Sequence, residues 1–298
     1  MSNRPCGLVV LHKPPGVTSF RSLTAVKQSF GTRRVGHTGT LDKFASGVLP
    51  ALVGSASRFS SFFMDLPKTY IATIRFGRTT TTLDPEGEPA GTGPLPRPED
   101  AQRIAKSFIG ELQQLPPDFS ALHVNGRRAS DIARTGEKPA LKARAVHIHD
   151  MQVLSSTENE LRIKVDCSRG TYIRALARDI ADQLGTVAYL TALERSAVGS
   201  FTIDGSVDPE DINVREHLQP IEDFLHQLPA ITIRTVPTSM IDAVMGGVPL
   251  RPEMFVQPPS QLQPEISALK SETGEFLALS EFDGTAFRYR FVRDRDNT

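Results

Sequence analysis

The 298-residue sequence lacks the features that mark several large classes of protein. Its two cysteines, Cys6 and Cys167, form no CxxC and have no histidine at ligand spacing, which excludes a disulfide framework and a zinc site. No stretch approaches the roughly 20 apolar residues of a membrane span. The opening, MSNRPCGLVV, has too short an apolar run before His12 and Lys13 for a secretory signal. The expected location is therefore the cytoplasm, with no membrane partner. Nucleotide fingerprints are missing too: Gly31 and Gly36 have the Walker spacing, but His37 stands where lysine is required, and no GxGxxG follows a strand. No serine sits in GxSxG, so a hydrolase elbow is unsupported. What remains is globular in composition, 39% hydrophobic and 23% charged, and long enough for one large domain with a small appendage.

Net charge is zero, but it is not evenly spread. Residues 1–80 hold eleven lysines and arginines against two acids, whereas residues 181–298 hold nine against eighteen. Such polarity suggests a polyanion bound by the first part of the chain and not by the last.

Apolar patterning indicates an α+β chain. Gly7–Leu11 reads as a strand, and Thr18 or Ser19 caps a helix carrying Phe20, Leu23, Val26, Lys27 and Phe30 on one face. Residues 31–47, with four glycines, are too irregular for an element and too long for an idle turn. Val48–Val53 and Lys68–Phe76 read as strands around a short helix, Ala56–Met64. Gly87–Asp100 is a linker before a helix expected over Glu99–Leu112. Two β-rich runs, Leu141–Leu154 and Leu161–Cys167, precede an amphipathic helix over Thr171–Leu184. After about residue 228 four short strands with glycine-containing turns mark a small β unit, so the expected domains are 1–228 and 229–298.

Asp42 is the one carboxylate in the first 64 residues, set in GHTGTLD beside Arg33, Arg34, His37 and Lys43. Neighbouring cations favour an ionised carboxylate, which suits a nucleophile better than a general acid. By spacing alone, Asp42 fits the cap of the next turn equally well.

The segment Arg34–Pro50, RVGHTGTLDKFASGVLP, resembles the catalytic motif of the TruB-type tRNA pseudouridine synthases. Further similar segments follow the family order: HKPPGVTS at 12–19, KTYIATIRFG at 68–77, TLDPEGE at 82–88, the stretch 115–137, CSRGTYIRALARDIADQLG at 167–185 and LTALERSAVGSF at 190–201. The resemblance spans about residues 7–205, and the tail is similar to the PUA-like RNA-binding domain. It implies a mixed, mainly antiparallel pseudouridine-synthase sheet flanked by helices, with the small C-terminal β unit. The implied reaction isomerises uridine 55 in the T loop of tRNA, with Asp42 as nucleophile on a flipped-out base. Moving uracil from an N1 to a C5 glycosidic bond calls for an anionic group at ribose C1′ or base C6, much as a retaining glycosidase needs its carboxylate. The same resemblance implies that Arg174 pairs with Asp42, that His37 helps displace the target base, and that Tyr70 packs on the uracil and takes part in proton transfer. Tyr172 and Leu193 would line the uridine pocket, and Lys13 would contact or support it.

The implied reaction conserves all atoms, so neither cofactor nor metal is expected, and a monomer acting on the tRNA T stem-loop is. The sequence departs from the family pattern at Lys43, Phe44, Phe119, His123, Ser130 and Glu194. Of these, Lys43 sets a cation beside Asp42. Two alternatives remain: an RNA-binding or tRNA-folding protein with incidental catalysis, and a related ribosomal RNA synthase.

Overall fold

The computed structural model describes residues 5–258 and 263–293. The first four residues of the chain, and residues 259–262 and 294–298 of the expected C-terminal unit, lie outside the described residues. In chain order the main elements are β1 (Gly7–Lys13), α1 (Ser19–Ser29), β2 (Ser46–Val53), β3 (Lys68–Phe76), α2 (Pro98–Lys106), β4 (Gly110–Gln114), β5 (Arg144–Ser156), β6 (Glu160–Cys167), α3 (Ile173–Gln183) and β7 (Ala188–Val198). The last four strands are β8 (Ile231–Val236), β9 (Glu265–Ser271), β10 (Phe276–Phe282) and β11 (Phe287–Val292).

The large sheet runs β1-β2-β7-β3-β6-β5-β4, with short strands Val35–His37 on β2 and Phe201–Thr202 on β7. All its neighbours are antiparallel except β7 and β2, joined in parallel by two residue pairs, Glu194 with Ser46 and Arg195 with Gly47. A Cβ on Gly47 would sit 2.2 Å from the Arg195 carbonyl, so only glycine lets the two backbones meet there. The second sheet runs β8-β9-β10-β11. This mixed, mainly antiparallel arrangement with a small C-terminal β sheet is the expected fold class. Among the described residues, no helix is long and apolar enough to cross a membrane.

One face of the large sheet buries Ala72, Ile74, Ile163 and Val165 against Ala101, Ala105, Leu176 and Ile180 of α2 and α3. The other face carries Phe59, Phe62 and Phe63, which share one apolar cluster with Phe276 and Phe291 of the second sheet. Phe59 meets those two rings edge-on at centroid distances of 5.4 and 5.3 Å. The outer edge of β1 is covered by the return of the chain, Leu8 exchanging two 2.8 Å hydrogen bonds with Gln219. That cover removes a free strand edge.

Five local expectations are corrected. Phe20 does not join the buried stripe of α1 but stands 70% exposed with the Lys27 ammonium 4.6 Å above its ring; Leu23, Val26 and Phe30 make the stripe. Residues 31–47 contain the strand Val35–His37, and the linker 87–100 contains another, Pro89–Thr92, paired with Arg78–Thr80. The helix expected over 99–112 ends at Lys106, because Gly110 turns the backbone to φ +114° and the chain continues as β4. Strand β7, in the middle of the sheet, was not expected. Two register shifts, between Leu190 and Ala192 and between Arg195 and Ala197, break its alternation, and it carries Glu194 and Arg195 mid-run.

Candidate active site

The site lies where β3 and β7 run beside the loop that precedes β2. It is a cleft of about 910 Å³, lined among others by Asp42, Tyr70, Tyr172, Arg174, Leu193 and Arg195. Asp42 ends the loop, its carbonyl accepting the Ala45 N–H at 3.2 Å, and its side chain is 35% exposed. Arg174 is the second residue of α3, and its side chain is 5% exposed. Its Nε and Nη2 donate to the two Asp42 oxygens at 2.8 and 3.0 Å. This bidentate, charge-assisted pair fixes both the ionisation partner and the plane of the carboxylate.

The other donors of Arg174 are also satisfied. Nη1 donates to the Thr82 carbonyl at 2.8 Å and stands 3.3 Å from Asp84, and Nη2 reaches the Phe119 carbonyl at 3.0 Å. Burial pushes the Asp84 carboxyl above its ordinary range, against the Thr82 hydroxyl and the Arg174 cation, which favour its charged form. The loop that presents Thr82 and Asp84 is tight: Leu83 is held at φ +61°, and a Cβ on Gly87 would meet the Thr82 Oγ1 at 2.4 Å. The start of α3 is pinned by Gln114 of β4, which accepts from the Tyr172 N–H at 2.8 Å and donates to its carbonyl at 3.1 Å. A side chain on the sheet edge thereby sets where Arg174 begins.

Tyr70 projects from β3, directly across from Arg195 of β7. Burial pushes the phenols of both Tyr70 and Tyr172 up. Leu193, buried on β7 across from Ala72, supplies the apolar wall. Five of the seven residues selected from sequence, Asp42, Tyr70, Tyr172, Arg174 and Leu193, therefore line one cleft.

The other two stand behind it. Lys13 is fully buried, donating to the carbonyls of Pro14, Val17 and Lys43 at 2.9, 2.7 and 3.3 Å; burial brings its ammonium down to about 8, against the attraction of Asp42. It clamps the loop 13–17 onto the Asp42 loop. His37 is half-buried on its short strand, where Nδ1 accepts the Gly39 N–H at 3.3 Å; burial, then the nearby Arg195 cation, lower its pKa. Lys43, adjacent to Asp42 in sequence, turns away to pair with Glu86 at 3.0 Å.

Sequence reading missed three buried charged groups: Asp84, Lys68 and Arg195. Lys68 donates at 2.5 Å to the carbonyls of Met64 and Leu66, and burial, more than the Arg195 cation, brings it down to about 8. For Lys68 and Arg195 the one available signal was a charge at the end of a largely apolar run, KTYIATI and LTALER, and Asp84 had none. The rim adds Arg128, Arg144 and Arg169, the last paired with Asp65, so the mouth is basic.

A family model described as TruB family pseudouridylate synthase (N terminal domain) matches residues 27–173. A protein of Borreliella afzelii named tRNA pseudouridine synthase B is 38% identical over 290 residues, covering 96% of this chain and 99% of the relative. One of the same name from Treponema denticola is 41% identical over 226 residues, 69% of this chain and 63% of the relative. Among solved structures, a Cbf5-Nop10-Gar1 complex matches with a TM-score of 0.73 at 23% identity, covering 99% of this chain and 87% of that one. An H/ACA RNP bound to a substrate RNA containing 2′-deoxyuridine gives 0.72 at 23%, covering 97% and 86%. At that identity the two structures speak for the fold alone.

Proposed function

This chain belongs to the TruB family of pseudouridylate synthases, and from that premise we propose that it converts uridine 55 in the T loop of tRNA to pseudouridine, with Asp42 as nucleophile. The relatives it matches over nearly their whole length are tRNA-modifying synthases by name, and the chemistry fits the cleft. The observation that carries the reading is the bidentate Asp42–Arg174 pair at a cleft with an aromatic and an aliphatic wall.

In the proposed sequence the target base leaves its stack, at a cost of a few kcal/mol in an RNA loop. Tyr70 and Leu193 receive it, Tyr172 borders the pocket, and the basic rim holds the backbone. Arg174 keeps the Asp42 carboxylate oriented toward ribose C1′ or base C6. His37 and Lys13 support the Asp42 loop, and His37, one residue from the cleft-lining Thr38, displaces the base within the loop. Residues 1–228 form the isomerase unit and 229–298 an RNA-binding appendage; the chain acts as a cytoplasmic monomer.

The test is a T stem-loop of about 17 nucleotides, the usual size of the arm, recognised by its folded shape. Pseudouridine should form at the single position equivalent to 55, and a scrambled loop on the same stem should fail. Equal turnover of both, or modification elsewhere, refutes the proposal. Binding of tRNA without any pseudouridine formed would leave a folding or binding protein.

A further inference from the structure

Arg195 takes no part in the reaction outlined above, yet it is among the largest fully buried side chains, 1% exposed. Among the described residues, no carboxylate forms a salt bridge with Arg195; the nearby acids Asp42 and Asp84 pair with Arg174 instead. A buried, unpaired cation is costly, and an apolar chain of similar volume is often neutral or better for stability. Folding alone therefore does not account for it.

Its position does. Arg195 sits on β7 at the two-residue parallel junction with β2, directly opposite Tyr70 on β3. Its Nε donates to the Val48 carbonyl at 2.8 Å and its Nη2 to the Gly39 carbonyl at 3.1 Å. Tyr70, its direct cross-strand neighbour, lines the same cleft as Arg195 and Asp42. One guanidinium thus ties the Asp42 loop to strand β2, directly across from the tyrosine at the cleft.

We propose that Arg195 is a positioning residue for Tyr70, a rigid cationic fork that fixes the place and the polarity of its hydroxyl beside Asp42. The proposal rests on the reading of Tyr70 as the aromatic at the target uridine. Three groups act on the Tyr70 phenol: the Arg195 cation on β7, the Cys167 thiol on β6, pushed up to about 12 by burial and so neutral, and the Asp42 carboxylate in its loop. Burial and Asp42 oppose ionisation of the phenol, and Arg195 is the one cation among them that favours it. A planar fork holding two carbonyls leaves its third donor aimed at a fixed point, which a flexible ammonium does not.

The chain has four tyrosines and no tryptophan, so tyrosinate absorbance reports phenol ionisation without interference. The difference between the wild type and Tyr70→Phe isolates Tyr70. In Arg195→Gln the Tyr70 ionisation should move upward by about one pH unit or more, the effect of losing a neighbouring cation. kcat on tRNA should fall while KM stays near wild type, and Arg195→Gln should add no further loss to Tyr70→Phe. Arg195→Met, an apolar chain of similar length, carries the same test if the glutamine variant does not fold. An unmoved Tyr70 ionisation, or losses that multiply in the double variant, overturns the proposal. Because the titration needs no RNA, a chain inactive on tRNA refutes the proposed function alone.

Discussion

Replacing Asp42 by asparagine keeps the shape of the side chain and removes one charge from a buried network. Breaking a buried pair costs about 3–5 kcal/mol when the survivor is left uncompensated. Here Arg174 retains the Thr82 and Phe119 carbonyls and Asp84 at 3.3 Å. The loss is one charge-assisted hydrogen bond, because the asparagine oxygen still accepts once, plus the clash of its amide with a guanidinium N–H. That sets the cost at about 1.5–3 kcal/mol, a fall of several degrees in melting temperature for a chain of this size. tRNA affinity should change by no more than about 1 kcal/mol, the range of a weak ion pair, because the carboxylate is spent on Arg174. Isomerisation should drop roughly a thousandfold or more, as when a nucleophile is removed. The acid nearest the Arg174 fork, Asp84, does not substitute, since it is buried behind the guanidinium. The assay is tritium release from 5-tritiated uridine in tRNA, run beside filter binding and a thermal melt. Activity within about tenfold of wild type, some 1.4 kcal/mol, removes Asp42 from the mechanism. Unfolding at ambient temperature would show it to be a structural cap.

Three further outcomes are expected. Because the folded chain holds Lys68 and Lys13 at about 8 against 10.5 for the ordinary side chain, the unfolded state binds the extra protons in between, and stability rises with pH through that window; Lys68→Met should make this rise shallower, leaving the share of Lys13, in denaturant titrations at pH 7.5 to 10.5, and an identical pH dependence in both proteins refutes it. Arg33 and Arg34 are exposed beside the Asp42 loop, so Arg33→Ala with Arg34→Ala should flatten the salt dependence of tRNA binding by about one unit of slope for each phosphate no longer neutralised. An unchanged slope places them away from RNA. Phe59→Ala should cost about 3–5 kcal/mol, since the ring is buried and meets Phe276 and Phe291 across the two sheets. A loss below about 1 kcal/mol would mean that the second sheet packs loosely on the first.

That shared cluster bears on the C-terminal unit. The sequence beyond residue 228 announces its own strands through short β-rich runs and glycine turns, and four strands, β8 to β11, appear there. It does not announce that Phe276 and Phe291 pack on Phe59 rather than on their own sheet's second face. Truncation after residue 228 therefore uncovers an aromatic cluster of the larger unit, a consequence visible only in three dimensions.

What sequence alone determined is local. Helix α3 follows from apolar residues at helical spacing, β1 to β3 from runs rich in β-branched and aliphatic residues, and the cap of α1 from a threonine whose hydroxyl accepts the Arg21 N–H. Asp42 stood out because a lone carboxylate among cations is conspicuous without coordinates. Its partner was nameable only through the family resemblance, since Arg174 lies 132 residues away. Tertiary structure decided the rest. Asp84, Lys68 and Arg195 look like ordinary surface charges in a string of letters; Lys68 and Arg195 are buried on the paired strands β3 and β7, and Asp84 in a loop closed over Arg174. The place of β7 between β2 and β3 is hidden for a physical reason: two bulges break the alternation by which a strand declares itself, and the pairing of Arg195 with Tyr70 and its bond to the Gly39 carbonyl exist only once the strand is in place.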